Sequence, residues 1–276
     1  MKKQAVFMQA AINGIQLAFT DEGRGIPLVF IHGFPFNRAV WQPQVDAFRA
    51  RYRVIAPDLR GFGESKTLSR VSTMAQFADD VHTLLNHLHS GPVVLIGHSM
   101  GGYVALAFVR QYPAMLRGLM LVGTRSSADT PETAASRRAT AQKVKTAGVD
   151  VVVDAMAPKM LSPKNSDIAM ASRVRELMSH ATPTGVSGAL LGMAERPDST
   201  QLLSKISVPT LIVAGADDMI IPPIESEKLA DTIKEAQLKI IPDAGHLVTF
   251  EKHAEFNRAL TEWLERTENI MKKAVG

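Results

Sequence analysis

Cysteine is absent from all 276 residues. That excludes disulfides, thiolate metal sites and a cysteine nucleophile. No apolar run reaches the ~20 residues of a membrane span, so no membrane association is expected. Basic and acidic residues, 31 against 27, are interspersed and never form a tract interleaved with aromatics. A nucleic-acid partner is therefore not expected, despite the formal charge of +4. Aromatics are scarce at 6%, and none occurs between Tyr112 and Phe250. Sugar sites usually present aromatic platforms, so a carbohydrate substrate is not expected either. The start, Met1-Lys2-Lys3, looks like the opening of a signal peptide. Gln4, Gln9 and Asn13 break up any apolar segment behind it, so none is read and a cytoplasmic location is expected.

What is present centres on residues 92–108. Val93 to Ile96 is a short apolar, β-branched run. Gly97-His98-Ser99-Met100-Gly101 is G-x-S-x-G, and apolar helical spacing follows from Tyr103. The pentapeptide alone is a weak signal, since chance supplies about 0.1 matches in such a chain. Its place between a buried strand and a buried helix raises it to a nucleophile elbow. The turn is so tight that Ser99 must take an unfavourable backbone conformation, and side chains at positions 97 and 101 would collide with neighbouring elements. The strain holds the hydroxyl clear of the sheet, at a helix N-terminus that favours negative charge.

The rest of the chain sets this unit in a larger rhythm. Residues 4–11 and 14–20 alternate loosely around Asn13-Gly14, a hairpin signal. Strand-like runs follow at 27–31, 52–56, 92–97, 116–122, 208–213 and 237–241. Helical spacing separates them at 41–49, 73–89, 101–111 and 224–235, and a last helix closes the chain at 253–268. Strands alternating with helices predict an α/β fold, a mainly parallel eight-stranded sheet with helices on both faces. Gly61-Phe62-Gly63 lacks the third glycine and the helix of a nucleotide loop, and reads as a turn. Between 125 and about 200 no strand-like run occurs. Short helices punctuated by Gly148, Pro158, Pro163, Pro183 and Pro197 are expected there. The domain division expected is a core of 1–124 and 201–276 with a helical cap, 125–200, inserted into it.

A serine hydroxyl needs a base for its proton and donors for the oxyanion that forms. A histidine held in one tautomer by a carboxylate supplies the base. In this architecture the order along the chain is serine, acid, histidine, with the groups at the carboxyl ends of strands. Of eight histidines, His246 alone combines position with a glycine-containing loop, Pro242-Asp243-Ala244-Gly245-His246. His82, His87 and His89 lie on a surface helix without metal-ligand spacing to any carboxylate. His98 is expected to point along the turn away from Ser99, and His253 to sit on a helix surface. For the acid, Asp217 and Asp218 both follow the 208–213 strand; Asp218 is preferred and Asp217 stays open. An acid after the preceding strand would need a carboxylate near Thr124, and none occurs before Asp129. The oxyanion donors expected are the backbone N–H groups of Met100 and of Phe34, which follows the 27–31 strand.

These residues bring the chain to a known family. It resembles the α/β-hydrolase superfamily over essentially its whole length. The matching segments are His32-Gly33-Phe34-Pro35, Asp58-Leu59-Arg60-Gly61-Phe62-Gly63-Glu64-Ser65, the elbow, Gly215-Ala216-Asp217-Asp218-Met219-Ile220-Ile221-Pro222 and Gly245-His246. In the family's Gly-x-x-Asp pattern the fourth position is the acid, which supports Asp218. The resemblance implies the fold, a Ser99–Asp218–His246 triad and a helical cap, but not one reaction. The His-Gly-x-Pro element is similar to that of epoxide hydrolases and haloalkane dehalogenases, whose nucleophile is an aspartate where this chain has Ser99. Among serine members the chain looks most like the esterase, enol-lactonase and cofactor-free perhydrolase group; the Gly-Gly-Ser-x-Gly elbow of prolyl aminopeptidases is absent.

The expectation is a serine hydrolase of small esters or lactones, with no cofactor and no metal. A carbon–carbon hydrolase of ring-cleavage diketones and a perhydrolase share the same machinery. A ligand-binding or signalling protein on a hydrolase fold is the reading from another class. Met156, Met160, Met170, Met178 and Met193 in the cap suit either an adaptable apolar pocket or plain packing. Arg125, Arg137 and Arg138 could meet a substrate carboxylate, with surface charge as the plainer reading. A small-molecule partner is expected, and a homo-oligomer is left open.

Overall fold

Alternation of apolar side chains along the strands decides the layers. In a computed structural model, which describes residues 8–273 and side chains as far as 268, odd and even strand residues join different cores. Val29, Ile31, Ile55, Leu95, Leu119, Leu121 and Ile212 face one side. Leu28, Phe30, Val54, Val94, Ile96, Met120, Val122, Leu211 and Val213 face the other. A strand buried on both faces must be covered twice, and helices do the covering.

The strands are β1 (Met8–Ile12), β2 (Ile15–Glu22), β3 (Pro27–Ile31), β4 (Arg53–Pro57), β5 (Val93–His98), β6 (Leu116–Val122), β7 (Thr210–Gly215) and β8 (Gln237–Ile241). They form one eight-stranded sheet in the order β1-β2-β4-β3-β5-β6-β7-β8. The β1–β2 and β2–β4 pairings are antiparallel and the rest parallel. Asn13 and Gly14, both at positive φ, close the β1–β2 hairpin with Ile12 opposite Ile15. The part of the expected first strand before Met8 lies outside the described residues.

The core helices are α1 (Gln42–Phe48), α2 (Met74–His87), α3 (Met100–Gln111), α9 (Pro223–Thr232), α10 (Val248–Glu251) and α11 (His253–Lys273). α2 and α3 supply Phe77, Val81, Leu84, Val104 and Phe108 to the first core. α1 and α11 supply Val45, Phe48, Phe256, Leu260 and Trp263 to the second. Thr73 caps α2 by accepting the Gln76 N–H at 3.1 Å. A buried Arg60–Asp80 ion pair at 2.7 Å, with Asn13 donating to the same carboxylate, ties the hairpin to α2.

The block between β6 and β7 is helical: α4 (Pro131–Ala147), α5 (Asp150–Met156), α6 (Ile168–Ser179), α7 (Pro183–Ala194) and α8 (Thr200–Leu203). Its helices are not uniformly short, since α4 runs for 17 residues. Pro131 and Pro183 start helices at their first positions, where the missing N–H costs nothing. Gly148 ends α4 at φ +83°. Met160, Met178 and Met193 are buried packing residues, whereas Met156 is half-buried and lines a cavity. Among the described residues no helix is long and apolar enough to cross a membrane.

Candidate active site

Ser99 sits between β5 and α3 at φ 54°, ψ −115°. That backbone costs of order 1–3 kcal/mol for a residue with a side chain and persists only where neighbours over-determine it. Here they do. The Ser99 N–H donates to Val122 O at 2.8 Å; Ser99 O accepts from Gly102 N–H at 2.9 Å and from the Thr124 hydroxyl at 2.9 Å. A Cβ on Gly97 would overlap the Gly101 carbonyl, and one on Gly101 would overlap Ile31 O. The sequence reading of both glycines stands on these contacts. The Ser99 hydroxyl does not cap its own helix.

The β3 exit lies against this turn. A Cβ on Gly33 would stand 3.2 Å from Ser99 Cβ, so Phe34 follows directly beside the nucleophile position. The Phe34–Pro35 peptide is cis. The Phe34 N–H donates to no group among the described residues. Met100 opens α3, and its N–H belongs to the first turn, which has no intrahelical acceptor. His32 is structural. Its Nε2 accepts from Leu59 N–H at 3.0 Å, which puts the proton on Nδ1, and Nδ1–H donates to Gly33 O at 2.9 Å. Burial pushes its pKa down to about 4, so the ring is a neutral strut between β3 and β4.

Asp218 and His246 meet across the ends of β7 and β8. Nδ1–H of His246 donates to Asp218 Oδ2 at 2.8 Å, and both side chains are buried. Asp218 Oδ1 accepts Ile220 N–H at 2.8 Å and Ile221 N–H at 2.9 Å, which fixes the carboxylate's orientation. With Nδ1 so engaged, Nε2 of the neutral ring carries the lone pair. It is buried and has no hydrogen-bond partner. A Cβ on Gly123, at the end of β6, would lie 3.4 Å from Asp218 Oδ2 and 3.5 Å from His246 Nδ1. β6 thus brings the pair beside Thr124, which holds the Ser99 carbonyl.

Asp217 faces elsewhere. It accepts the Ser162 hydroxyl at 2.6 Å and pairs with Lys164 at 3.3 Å. Those two contacts, the hydroxyl's first, hold its carboxyl below the usual range. The pair of aspartates therefore divides the work: one orients the imidazole and its neighbour grips the helical block. Asp129 is committed to Arg125, Arg137 and Arg196.

Two contributors were not anticipated. His98, expected to stand aside, donates Nε2–H to the His246 carbonyl at 2.9 Å, with ring centroids 4.9 Å apart. Burial, then His246, push its pKa down to about 3. Glu251, buried at the end of α10, accepts the N–H groups of Gly245 and Ser162 and the Asn165 side chain at 2.6–3.1 Å. Leu247 N–H donates to Met160 O at 2.8 Å. The loop carrying His246 is thus fastened to residues 160–165 on both sides. Apart from Gly245, six residues before Glu251, the partners lie 86–148 positions away, so no local signal in the chain marks these roles. Among the described residues no group of three or more His, Cys, Asp or Glu could hold a metal ion.

A cavity of about 680 Å³ lies between the core and α4, α5 and α7, with Phe34, Ile220, Met156 and Leu190 in its wall. A smaller one of about 360 Å³ lies beside Tyr103, Arg125 and Arg196.

Residues 28–259 match the Alpha/beta hydrolase family. A non-heme chloroperoxidase of Kitasatospora aureofaciens is 32% identical over 278 residues, covering 92% of this chain and 98% of that protein. A thermophilic esterase from Thermogutta terrifontis, solved with malate bound, is 42% identical with a TM-score of 0.92, covering 95% of this chain and 99% of that one. The enol-lactonase of Burkholderia xenovorans superposes with a TM-score of 0.86 at 24% identity, covering 94% and 100% of the two chains.

Proposed function

The chain belongs to the alpha/beta hydrolase family, and from that premise we propose that it is a serine hydrolase of small carboxylic esters or lactones. The observation that carries the reading is the buried Asp218–His246 hydrogen bond, with Nε2 unpartnered, beside a strained Ser99 whose hydroxyl caps nothing. In this reading Ser99 Oγ attacks the carbonyl carbon while His246 Nε2 takes its proton. The Phe34 and Met100 N–H groups hold the oxyanion. Collapse returns the proton from His246 to the leaving alkoxide, which departs as an alcohol or stays tethered when a lactone opens. Water, deprotonated by His246, then cleaves the acyl-enzyme to acid and free Ser99. Oriented donors of this type are each worth about 10²–10³ in rate. The helical block 125–200 acts as the cap over the acyl group. The esterase at 42% identity supports the ester assignment.

The chloroperoxidase relative favours a second reading on the same residues, in which hydrogen peroxide replaces water in the last step and the product is a peracid.

A panel of esters and lactones graded in acyl length, run with water alone and with added peroxide, tests both. The proposal expects saturable hydrolysis without peroxide that falls by roughly 10⁴-fold or more in Ser99→Ala. Full activity in that variant would sink it.

A further inference from the structure

We propose that the cavity beside Phe34 is a carboxylate subsite, so that the preferred substrates are esters or lactones bearing a second, ionised carboxyl group. This rests on the hydrolase reading above. The cavity has an apolar floor that includes Phe34, Val152, Met156 and Leu190. Its charged lining is Arg137, Lys143 and Lys159, and no Asp or Glu stands in the wall. Neither lysine has an ion pair among the described residues.

Arg137 adds to the imbalance. It gives Nε to Asp129 Oδ2 at 2.5 Å, and its terminal nitrogens make no hydrogen bond among the described residues. Asp129, itself buried, also takes Arg125 and Arg196. Arg125 and Arg196 line the neighbouring smaller cavity, so Arg137, Lys143 and Lys159 are the cations of this one. On an ordinary protein surface both signs are interspersed, as they are elsewhere in this chain. Lys143 and Lys159 are exposed and Arg137 half-buried, so gathering one sign around this concavity is mildly unfavourable until an anion arrives, and the concave wall concentrates the field on that anion.

Geometry sets what the anion is attached to. Phe34 carries one proposed oxyanion donor, and the Ile220 N–H is held by Asp218. The floor therefore reaches the loops that hold the reacting carbonyl, while the cations lie toward the cap helices. A short aliphatic chain along the floor would put its carbonyl at Ser99 and a distal carboxylate among Arg137, Lys143 and Lys159. The half-ester of a dicarboxylic acid has this form.

The test compares monoethyl esters of succinic, glutaric and adipic acids with their ω-amides, which keep the shape and lose the charge. The wild-type protein should favour at least one half-ester over its amide by about tenfold in kcat/KM, equivalent to ~1.4 kcal/mol. Raising salt from about 0.05 to 0.5 M should shrink that ratio. Lys143→Gln with Lys159→Gln should bring it to within about twofold of unity. Lys239→Gln with Lys234→Gln, the same loss of two charges at and just before edge strand β8, should leave it in place. A ratio near one in the wild type, or one untouched by the double substitution, would overturn the subsite. Calorimetry on Ser99→Ala reads the subsite without turnover: tighter binding of a half-ester than of its amide supports it, and equal binding contradicts it. If the folded enzyme hydrolyses none of these compounds, charged or neutral, the hydrolase reading fails, and the calorimetric result still decides the subsite.

Discussion

At the carboxyl edge of the sheet, the groups around Ser99 are held by backbone. Val122 O, Ile220 N–H, Ile221 N–H, Gly33 O and the His246 carbonyl are the partners that fix the serine, the acid, His32 and His98. The helical block above is held to that edge largely through side chains: Ser162 on Asp217, Ser162 N–H and Asn165 on Glu251, Thr182 on Gly61 O. Backbone partners come with the fold and cannot be substituted one at a time. Side-chain tethers can be altered singly. Under the proposed function the difference separates chemistry from selectivity: the sheet edge would fix the reaction, and the tethered helices would set what reaches it.

The largest break in that comparison should come from Asp218→Asn. The amide offers Nδ1 the wrong partner and turns the proton toward Nε2, so kcat should fall by roughly 10⁴-fold with the fold intact. Rates of ester hydrolysis beside a melting curve check this.

Acid should come next, and it should strike the sheet edge. His32 and His98 are buried neutral, with pKa values down at about 4 and about 3 against 6.5 for the free side chain. Between pH 6.5 and 4 the unfolded chain binds protons that the native chain refuses. Stability therefore falls as pH falls, by about tenfold in the folding equilibrium per pH unit for each histidine. Denaturant titrations at pH 7, 6, 5 and 4 read the slope. His98→Phe should flatten it by about one histidine's share; an unchanged slope would mean that His98 is charged in the native state.

Glu251→Ala attacks the junction. It orphans the buried N–H groups of Gly245 and Ser162 at about 1–3 kcal/mol each. The melting temperature should drop by several degrees. kcat should fall less than in Asp218→Asn, because the Asp218–His246 bond survives. Asp217→Asn should have the smallest effect: less than about threefold in kcat, since the imidazole keeps its acid. Its mark should instead be faster hydrogen exchange at residues 160–165. A loss of activity comparable to Asp218→Asn would erase the distinction between the two aspartates.

The two regions also differ in how far the chain announces them. Strand positions were legible because Val, Ile and Leu runs of this length must be buried on both faces, and the elbow because only glycine fits at 97 and 101. The order serine, acid, histidine then pointed to His246. The choice between Asp217 and Asp218 did not follow from their positions alone, since both leave the same strand. It turns on the loop hydrogen bonds Asp217 N–H to Ala244 O and Asp218 N–H to Gly215 O, which send the side chains apart. The helical block between β6 and β7 was legible only as a break in the rhythm. α4 buries little beyond Ala134, Ala141 and Val144, too weak a stripe to give its length. His98 gains its role from His246, and Glu251 its grip on the helical block from Ser162 and Asn165, partners far along the chain that no local pattern records.

The central claim is that Ser99 is a nucleophile activated by His246. Its most direct test is reaction with a fluorophosphonate probe followed by peptide mass spectrometry. The account predicts one label, on Ser99, absent in Ser99→Ala and strongly slowed in His246→Ala. A folded wild-type protein left unlabelled, or labelled at another residue with Ser99 untouched, would contradict it.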